Sequence, residues 1–460
     1  MNALPCLLAL AMQQSLDPER PAQPPTLHPT RYVEDYDSLR DQRLRDATFL
    51  GDWKRIPLDD SGDAFLSTGF ELRVRYERLD GADFERDSPA DGVLLTRALP
   101  LVDLRTSRAF RVFVQGIGAD DFDRRGPSSP VDVDRFDVAQ AFGEYDTARG
   151  DVAGMTLRAG RQLLGLGSER LVSTRYGANV PRPFDGIRVQ WRDAGLTIDA
   201  AFGRPVRTRV GAFDDTSDDE RTLGALHACA NVGDASFVDA YVLWTRDSTA
   251  TYAQGTAHER RATTGLRWTS RNGPLRFDVE GFRQTGRFGD ASIRAWSVTQ
   301  DIGWRCEGVP LEPEIGCRVS VISGDRDASD ATLQTFQPLY PRAKYFGELS
   351  PLAPQNLVHL HPTVTTRIGE GIHASLSVVA YWRHRTGDGI YGPSGALLRE
   401  PIRSGERFVG WMPELVVTFQ PTRELEFLVS ASWFRAGAFL REGGDDTDQT
   451  LLAVEGKFWF

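Results

Sequence analysis

From residue 64 onward the chain alternates with a period of two. In Phe70-Glu71-Leu72-Arg73-Val74-Arg75-Tyr76-Glu77 every second residue is charged, which fits a strand with one wet and one apolar face and fits no soluble helix. The pattern recurs. Leu196, Ile198, Ala200 and Phe202 alternate with Thr197 and Asp199, and Val238, Ala240, Val242 and Trp244 alternate with Asp239 and Tyr241. Leu425, Phe427, Val429, Ala431 and Trp433 alternate with Glu424, Glu426, Ser430 and Ser432. Taken at ~10 residues each, such segments give about eighteen strands. Their centres fall near residues 71, 99, 113, 140, 158, 188, 199, 227, 241, 265, 279, 298, 318, 363, 378, 413, 429 and 454.

The connections alternate in length. Short ones fall at Thr106-Ser107, Asp193-Ala194, Gly233-Asp234, Arg271-Asn272, Gly369 to Gly371 and Pro421-Thr422. Long ones fall near 79–92, 119–132, 163–183, 204–221, 323–356, 386–404 and 437–448. Short periplasmic turns and long outer loops produce this rhythm in an outer-membrane barrel, and an even strand count puts both termini on the periplasmic side. Trp191, Trp244, Trp304, Trp382, Trp411 and Trp433 sit near strand ends, as interfacial girdles require. The last strand places Leu452, Val454, Phe458 and Phe460 on one face. An aromatic end of this kind resembles the signal read by the barrel assembly machinery. The predicted fold is all-β, a transmembrane antiparallel barrel of about eighteen strands. The rim of a soluble β-sandwich is the competing reading, and the strand count argues against it.

Three segments are expected: a signal-like leader and linker over 1–24, a periplasmic N-terminal segment over 25–61, and the barrel over 62–460. Leu4 to Met12 is a short apolar core, and Ala9-Leu10-Ala11 a candidate cleavage site, although no basic residue precedes it. The N-terminal segment is expected to hold a short helix near Leu39 to Arg45, or to tuck into the barrel mouth.

Composition supports this picture. Hydrophobic residues make up 40% of the 460 and mean hydropathy is −0.35. No run approaches the ~20 apolar residues of a membrane helix, whereas a barrel that shows lipid only alternate residues has such an average. The net charge of −10 argues against nucleic acid as a partner.

If the apolar faces meet lipid, the charged faces meet the lumen. Arg73, Arg75, Arg97, Arg111, Arg158, Arg161 and Arg188 would then lie on neighbouring strands, and Arg175 and Arg182 on the connection at 163–183. Planar guanidinium forks bind carboxylates bidentately, and a concentrated basic patch lowers the barrier for anions. Inward acids, including Glu71, Asp199, Asp278, Glu280, Glu414, Glu424 and Glu426, allow the alternative that the arginines are paired and stiffen the wall.

Other chemistry is sparse. Cys306 and Cys317 flank a predicted turn and form a candidate disulfide, while Cys6 lies in the leader. His359 and His361 share a strand face and are a weak metal candidate. Three acidic loops, Asp214 to Glu220, Gly324 to Asp330 and Gly443 to Asp448, are candidates for Ca²⁺ or for bridging to lipopolysaccharide, although solvated loops have the same composition. Neither G-x-S-x-G nor H-E-x-x-H occurs, so no enzyme and no cofactor is expected.

Two long motifs carry a resemblance. The first is Gly160-Arg161-Gln162, Gly167, Arg170-Leu171-Val172-Ser173, Arg175, Gly177, Asn179, Arg182, Phe184-Asp185-Gly186 and Arg188. The second is Gly324-Asp325-Arg326-Asp327, Leu333 to Pro341 and Tyr345-Phe346-Gly347. A weaker third runs from Arg31-Tyr32 to Ile56-Pro57-Leu58. Together they resemble the alginate export family of outer-membrane β-barrels, over most of the chain beyond residue 30. The resemblance implies passage of alginate or a similar anionic polysaccharide through a basic lumen, in a monomer set among outer-membrane lipid and lipopolysaccharide. A general anion-preferring diffusion porin is the alternative; a barrel enzyme or adhesin fits less well.

Overall fold

The computed structural model describes residues 26–460 except 86–87, 107–108, 148–152, 402–404 and 445. The leader, Cys6, the candidate cleavage site and part of the turn at Thr106-Ser107 lie outside the described residues. Eighteen antiparallel strands close into one barrel. In chain order they are β1 (Phe65–Asp80), β2 (Asp91–Arg105), β3 (Phe110–Phe122), β4 (Asp134–Asp146), β5 (Gly154–Leu163) and β6 (Pro183–Asp193). Next come β7 (Leu196–Arg207), β8 (Arg221–Gly233), β9 (Ser236–Tyr252), β10 (Gly255–Asn272), β11 (Leu275–Phe288) and β12 (Ala291–Arg305). The last six are β13 (Glu314–Ile322), β14 (Leu357–Gly369), β15 (Ile372–Arg383), β16 (Phe408–Phe419), β17 (Leu425–Ala436) and β18 (Gln449–Trp459). Each predicted centre falls inside one of them.

Closure follows from pairing β18 with β1, in a register that sets Glu71 against Trp459 and Arg75 against Glu455. The backbone groups along the wall thereby pair strand to strand, apart from a few bulges, and no edge strand remains. Alternation decides which side chains face out. Leu72, Val74 and Tyr76 of β1 are exposed, whereas Glu71, Arg73 and Arg75 are buried. Leu266 and Val454 are 66% and 54% exposed, as lipid-facing residues would be outside a membrane.

The length rhythm holds with two exceptions. On the outer side, β9 meets β10 and β11 meets β12 through tight turns at 253–254 and 289–290. The connections 164–182 and 323–356 do not project outward. They fold into the barrel and pack there in one apolar cluster with wall residues, among them Leu164, Val172, Phe336, Phe346, Tyr381 and Phe434. The two loops join each other: Ser173 N donates to Tyr340 O at 2.9 Å, and Tyr340 N to Leu171 O at 2.8 Å.

The N-terminal segment packs at the opposite, short-turn end. It carries short helical turns at Asp37–Arg40 and Gln42–Asp46. Tyr32 inserts among Leu101, Phe113, Phe142 and Leu163, and Arg31 Nη2 donates to the Phe460 carbonyl at 2.7 Å.

Cys306 and Cys317 do not bridge; both are free thiols. The β12–β13 register pairs Cys317 with Ile302, while Cys306 N donates to Pro313 O. The two cysteines therefore lie four positions apart along the hairpin, ~13 Å at the strand rise, beyond the reach of a disulfide.

Candidate functional site

The interior is built from wall arginines and from the two inserted loops. Seven of the nine predicted arginines point inward from strands, and each meets a carboxylate on its own or a neighbouring strand or on an inserted loop. Arg73 Nη2 and Arg75 Nη1 share Glu455 Oε2 at 2.7 and 3.0 Å, and Arg75 Nη2 reaches Glu348 on the second loop at 2.8 Å. Arg97 Nη2 lies 2.6 Å from Glu71 Oε1. Arg111 grips Asp103 with two bonds of 2.7 and 2.9 Å. Arg158 Nε donates to Glu144 at 2.8 Å and its guanidinium lies 4.0 Å from the Tyr32 ring centroid. Arg161 holds Asp185 at 2.9 Å, and Arg188 grips Asp199 with two bonds of 2.6 Å. These short bidentate contacts are the strong kind of ion pair. They neutralise the wall locally and fix its side chains.

Arg175 and Arg182, on the first loop, differ. Arg175 donates to the carbonyls of Val180 and Pro181 at 3.2 and 3.4 Å. Arg182 donates to Pro341 O at 3.4 Å and faces the Tyr340 ring. Arg342, on the second loop, lies over the Tyr345 ring, and its Nε has no partner. None of the three makes an ion pair among the described residues. Burial pulls Arg175 down to about 10; burial and the Arg175 charge pull Arg182 down to about 9; burial and the charges of Arg318 and Arg170 pull Arg342 down to about 10. All three stay protonated at neutral pH. They lie along the seam where the loops meet, where a Cβ on Gly177 would lie 3.5 Å from that of Ala343.

Signature residues position the loops. Gly167 has φ +54, and a Cβ there would lie 1.8 Å from the Tyr241 hydroxyl, so only glycine lets the first loop lie on β9. Arg170 then anchors it to Asp278 across the lumen at 3.3 Å, and the Ser168 hydroxyl bonds Glu280 at 2.6 Å. Arg342 carried no signal in the sequence, because its role depends on the second loop turning inward. His359 and His361 lie beside Arg318, whose Nη2 is 3.2 Å from His361 Nδ1, a guanidinium where a metal would have to sit.

The second loop has its own titratable lock. Gln254 donates to Asp325 Oδ2 at 2.6 Å, and Asp325 N donates to Asp388 Oδ2 at 2.9 Å. Burial pushes the Asp325 carboxyl up to about 7, and the charge of Asp388 adds to this. Its folded value lies above the ordinary ~4, so ionisation opposes this packing. The stabilising contribution is complete below pH ~4 and is lost as pH rises through about 7. Hydrogen exchange over 323–336, corrected for intrinsic rates, should therefore speed up between pH 6 and 8, and Asp325→Asn should remove that step.

A barrel of this strand number, with two long loops drawn into its lumen, can be compared with known proteins. The model of the alginate export family matches residues 64–454. The chain belongs to the alginate export family. The match spans the whole barrel up to the last strand, so this member of the family is an outer-membrane channel. No curated protein matches the sequence. Among solved structures, OccD3 (OpdP) of Pseudomonas aeruginosa superposes with a TM-score of 0.60 at 11% identity, covering 89% of this chain and 93% of that one. The outer membrane protein OpdK of the same organism gives 0.56 at 12%, covering 86% and 99%, and OccK11 (OpdR) gives 0.56 at 12%, covering 86% and 96%. At such identities the likeness is one of fold.

Proposed function

We propose that this channel passes an anionic polysaccharide of the alginate type, and that Arg175, Arg182 and Arg342 are its principal contacts in the lumen. Membership of the alginate export family supports the substrate class. The observation that carries the reading is that these three half-buried guanidiniums, on the loops that narrow the barrel, lack carboxylate partners among the described residues. A partly desolvated cation without a counter-ion is costly, and a passing carboxylate relieves that cost. A polyuronate offers one carboxylate per sugar, so successive units can exchange on a few forks without a deep well. The paired wall arginines serve this path indirectly, by cancelling the lumenal acids that would repel such a chain.

Reversal potentials in a salt gradient across planar bilayers, with polyuronate added from either side, test the reading. Anion selectivity with concentration-dependent polyuronate block is expected. Anion selectivity without block would favour a general diffusion porin, and cation selectivity would overturn both.

A further inference from the structure

A second cluster lies at the outer rim, away from the lumenal arginines. Asp134 and Asp137 stand three residues apart on β4, so plain alternation would point them to opposite faces. The β3–β4 register prevents this. Ile117 pairs with Asp137 but Ala119 pairs with Asp134, so three residues of β4 span two of β3 in a bulge. Bulges re-aim side chains in this way, and here both carboxylates turn inward, 1% and 5% exposed. The acidic loop after β7 brings the third. Phe213 N donates to Phe136 O at 2.9 Å and Arg135 N to Gly211 O at 3.1 Å, which docks the loop on β4 and delivers Asp215. One oxygen from each of the three carboxylates lies within 4.8 Å of the others. Two oxygens on one Ca²⁺ at ~2.4 Å can lie at most ~4.8 Å apart, so this spacing suits a shared ion.

The internal bonds leave the cluster short of positive charge. Asp137 Oδ2 accepts from Asp215 N at 3.1 Å, and Asp215 Oδ1 accepts from Arg209 N at 2.7 Å. Among the described residues the cluster's ion-pair contact is to Arg161, which is 3.6 Å from Asp137 and is committed to Asp185. Asp134 Oδ1 is buried with no partner at all among the described residues. A buried, unpaired carboxylate beside two others is strongly disfavoured unless a cation joins them.

We propose that Asp134, Asp137 and Asp215 bind one Ca²⁺, which clamps the outer loop 208–220 onto the rim of β4. The donors are all hard oxygens, and one of them sits on a loop that can adjust to a large, geometrically tolerant ion.

Calorimetric titration of the full chain in detergent with CaCl2, after chelator dialysis, should show one site. Asp134→Asn should abolish it. Lipopolysaccharide carried through purification binds Ca²⁺ as well, and its signal would persist in the variant. Amide exchange at Phe213 and Asp215 should slow about tenfold or more in excess Ca²⁺ relative to EDTA, and should be insensitive to Ca²⁺ in Asp134→Asn. If that variant fails to fold, Asp215→Asn on the loop replaces it. Equal exchange with Ca²⁺ and with EDTA in the unmodified protein would overturn the proposal in favour of shared protons. A calorimetric signal undiminished in both variants, with exchange at Phe213 and Asp215 still slowed by Ca²⁺, would overturn it in favour of an ion held elsewhere.

Discussion

Replacing Arg175, Arg182 and Arg342 together with alanine should weaken polyuronate block about tenfold or more and lower anion selectivity, while the barrel folds and conducts. Tenfold corresponds to ~1.4 kcal/mol. A unit charge 4 Å from a carboxylate contributes ~4 kcal/mol at an effective dielectric of ~20, before desolvation is subtracted. Three such sites therefore have room to produce the effect. The loops should keep their place, because the three arginines add only long carbonyl bonds of 3.2 to 3.4 Å, and shorter contacts and ion pairs hold the loops. Arg73 and Arg97 bind the carbonyl of Ala178, Arg170 ties the first loop to Asp278, and the Leu171–Tyr340 and Ser173–Tyr340 backbone bonds join the loops. The wall triple Arg158→Ala, Arg161→Ala and Arg188→Ala makes the useful contrast. It strands Asp185 and Asp199 and leaves Glu144 with only the longer Arg111 contact at 3.4 Å, and so should lose stability as well as selectivity. Block that is unchanged in the loop variant, in bilayers where the unmodified channel is blocked, would show that the polymer does not touch the seam.

The wall was legible in the sequence because a strand in lipid has one dominant constraint, the alternation of faces. Phe70 to Glu77 already states which side is wet, and the eighteen centres follow from repeating that test. The partners of the wall arginines were harder to read. That Arg188 would bond Asp199 needs the β6–β7 register, which depends on a turn two residues long. The fate of the loops was not legible. Residues 164–182 and 323–356 have no period, and whether they project or turn inward rests on close approaches such as Gly167 to Tyr241 and Gly324 to Asn356. The motif glycines were visible, yet the surfaces they fit came from far along the chain, from a distant strand for Gly167 and from the far end of the same loop for Gly324. The Cys306–Cys317 candidate failed for a related reason: flanking a turn suggests proximity, but the register sets them four positions apart.

A single substitution at the closure seam, Arg97→Ala, should be the most damaging in the molecule, costing about 3–5 kcal/mol, the usual result of stranding a buried ion partner. Glu71 is fully buried on β1, the strand that closes the barrel. It accepts from Arg97 of β2 at 2.6 Å, from the Tyr176 hydroxyl of the first loop at 2.6 Å and from Trp459 Nε1 of β18 at 3.0 Å. Arg97 in turn donates to Ala178 O and Asn179 O at 2.8 and 3.2 Å. One ion pair thus joins the first, second and last strands to the loop that crosses the lumen. Removing the cation leaves a carboxylate in a dry site and takes from the loop one of the two arginines that hold the Ala178 carbonyl, the other being Arg73 at 2.9 Å. Two readouts should move in concert: heat-modifiable electrophoretic mobility should shift at lower temperature, and surviving channels should show noisier conductance as residues 176–179 loosen on the wall, where Arg73 and the Asn179 side chain still hold them. Glu71→Gln separates the contributions, since it keeps acceptors for Tyr176 and Trp459 but leaves Arg97 unpaired. It should destabilise the barrel with a smaller change in conductance, because the Arg97 bonds to the loop carbonyls remain. Equal heat sensitivity of Arg97→Ala and the unmodified protein would mean that closure rests on the β1–β18 backbone ladder alone.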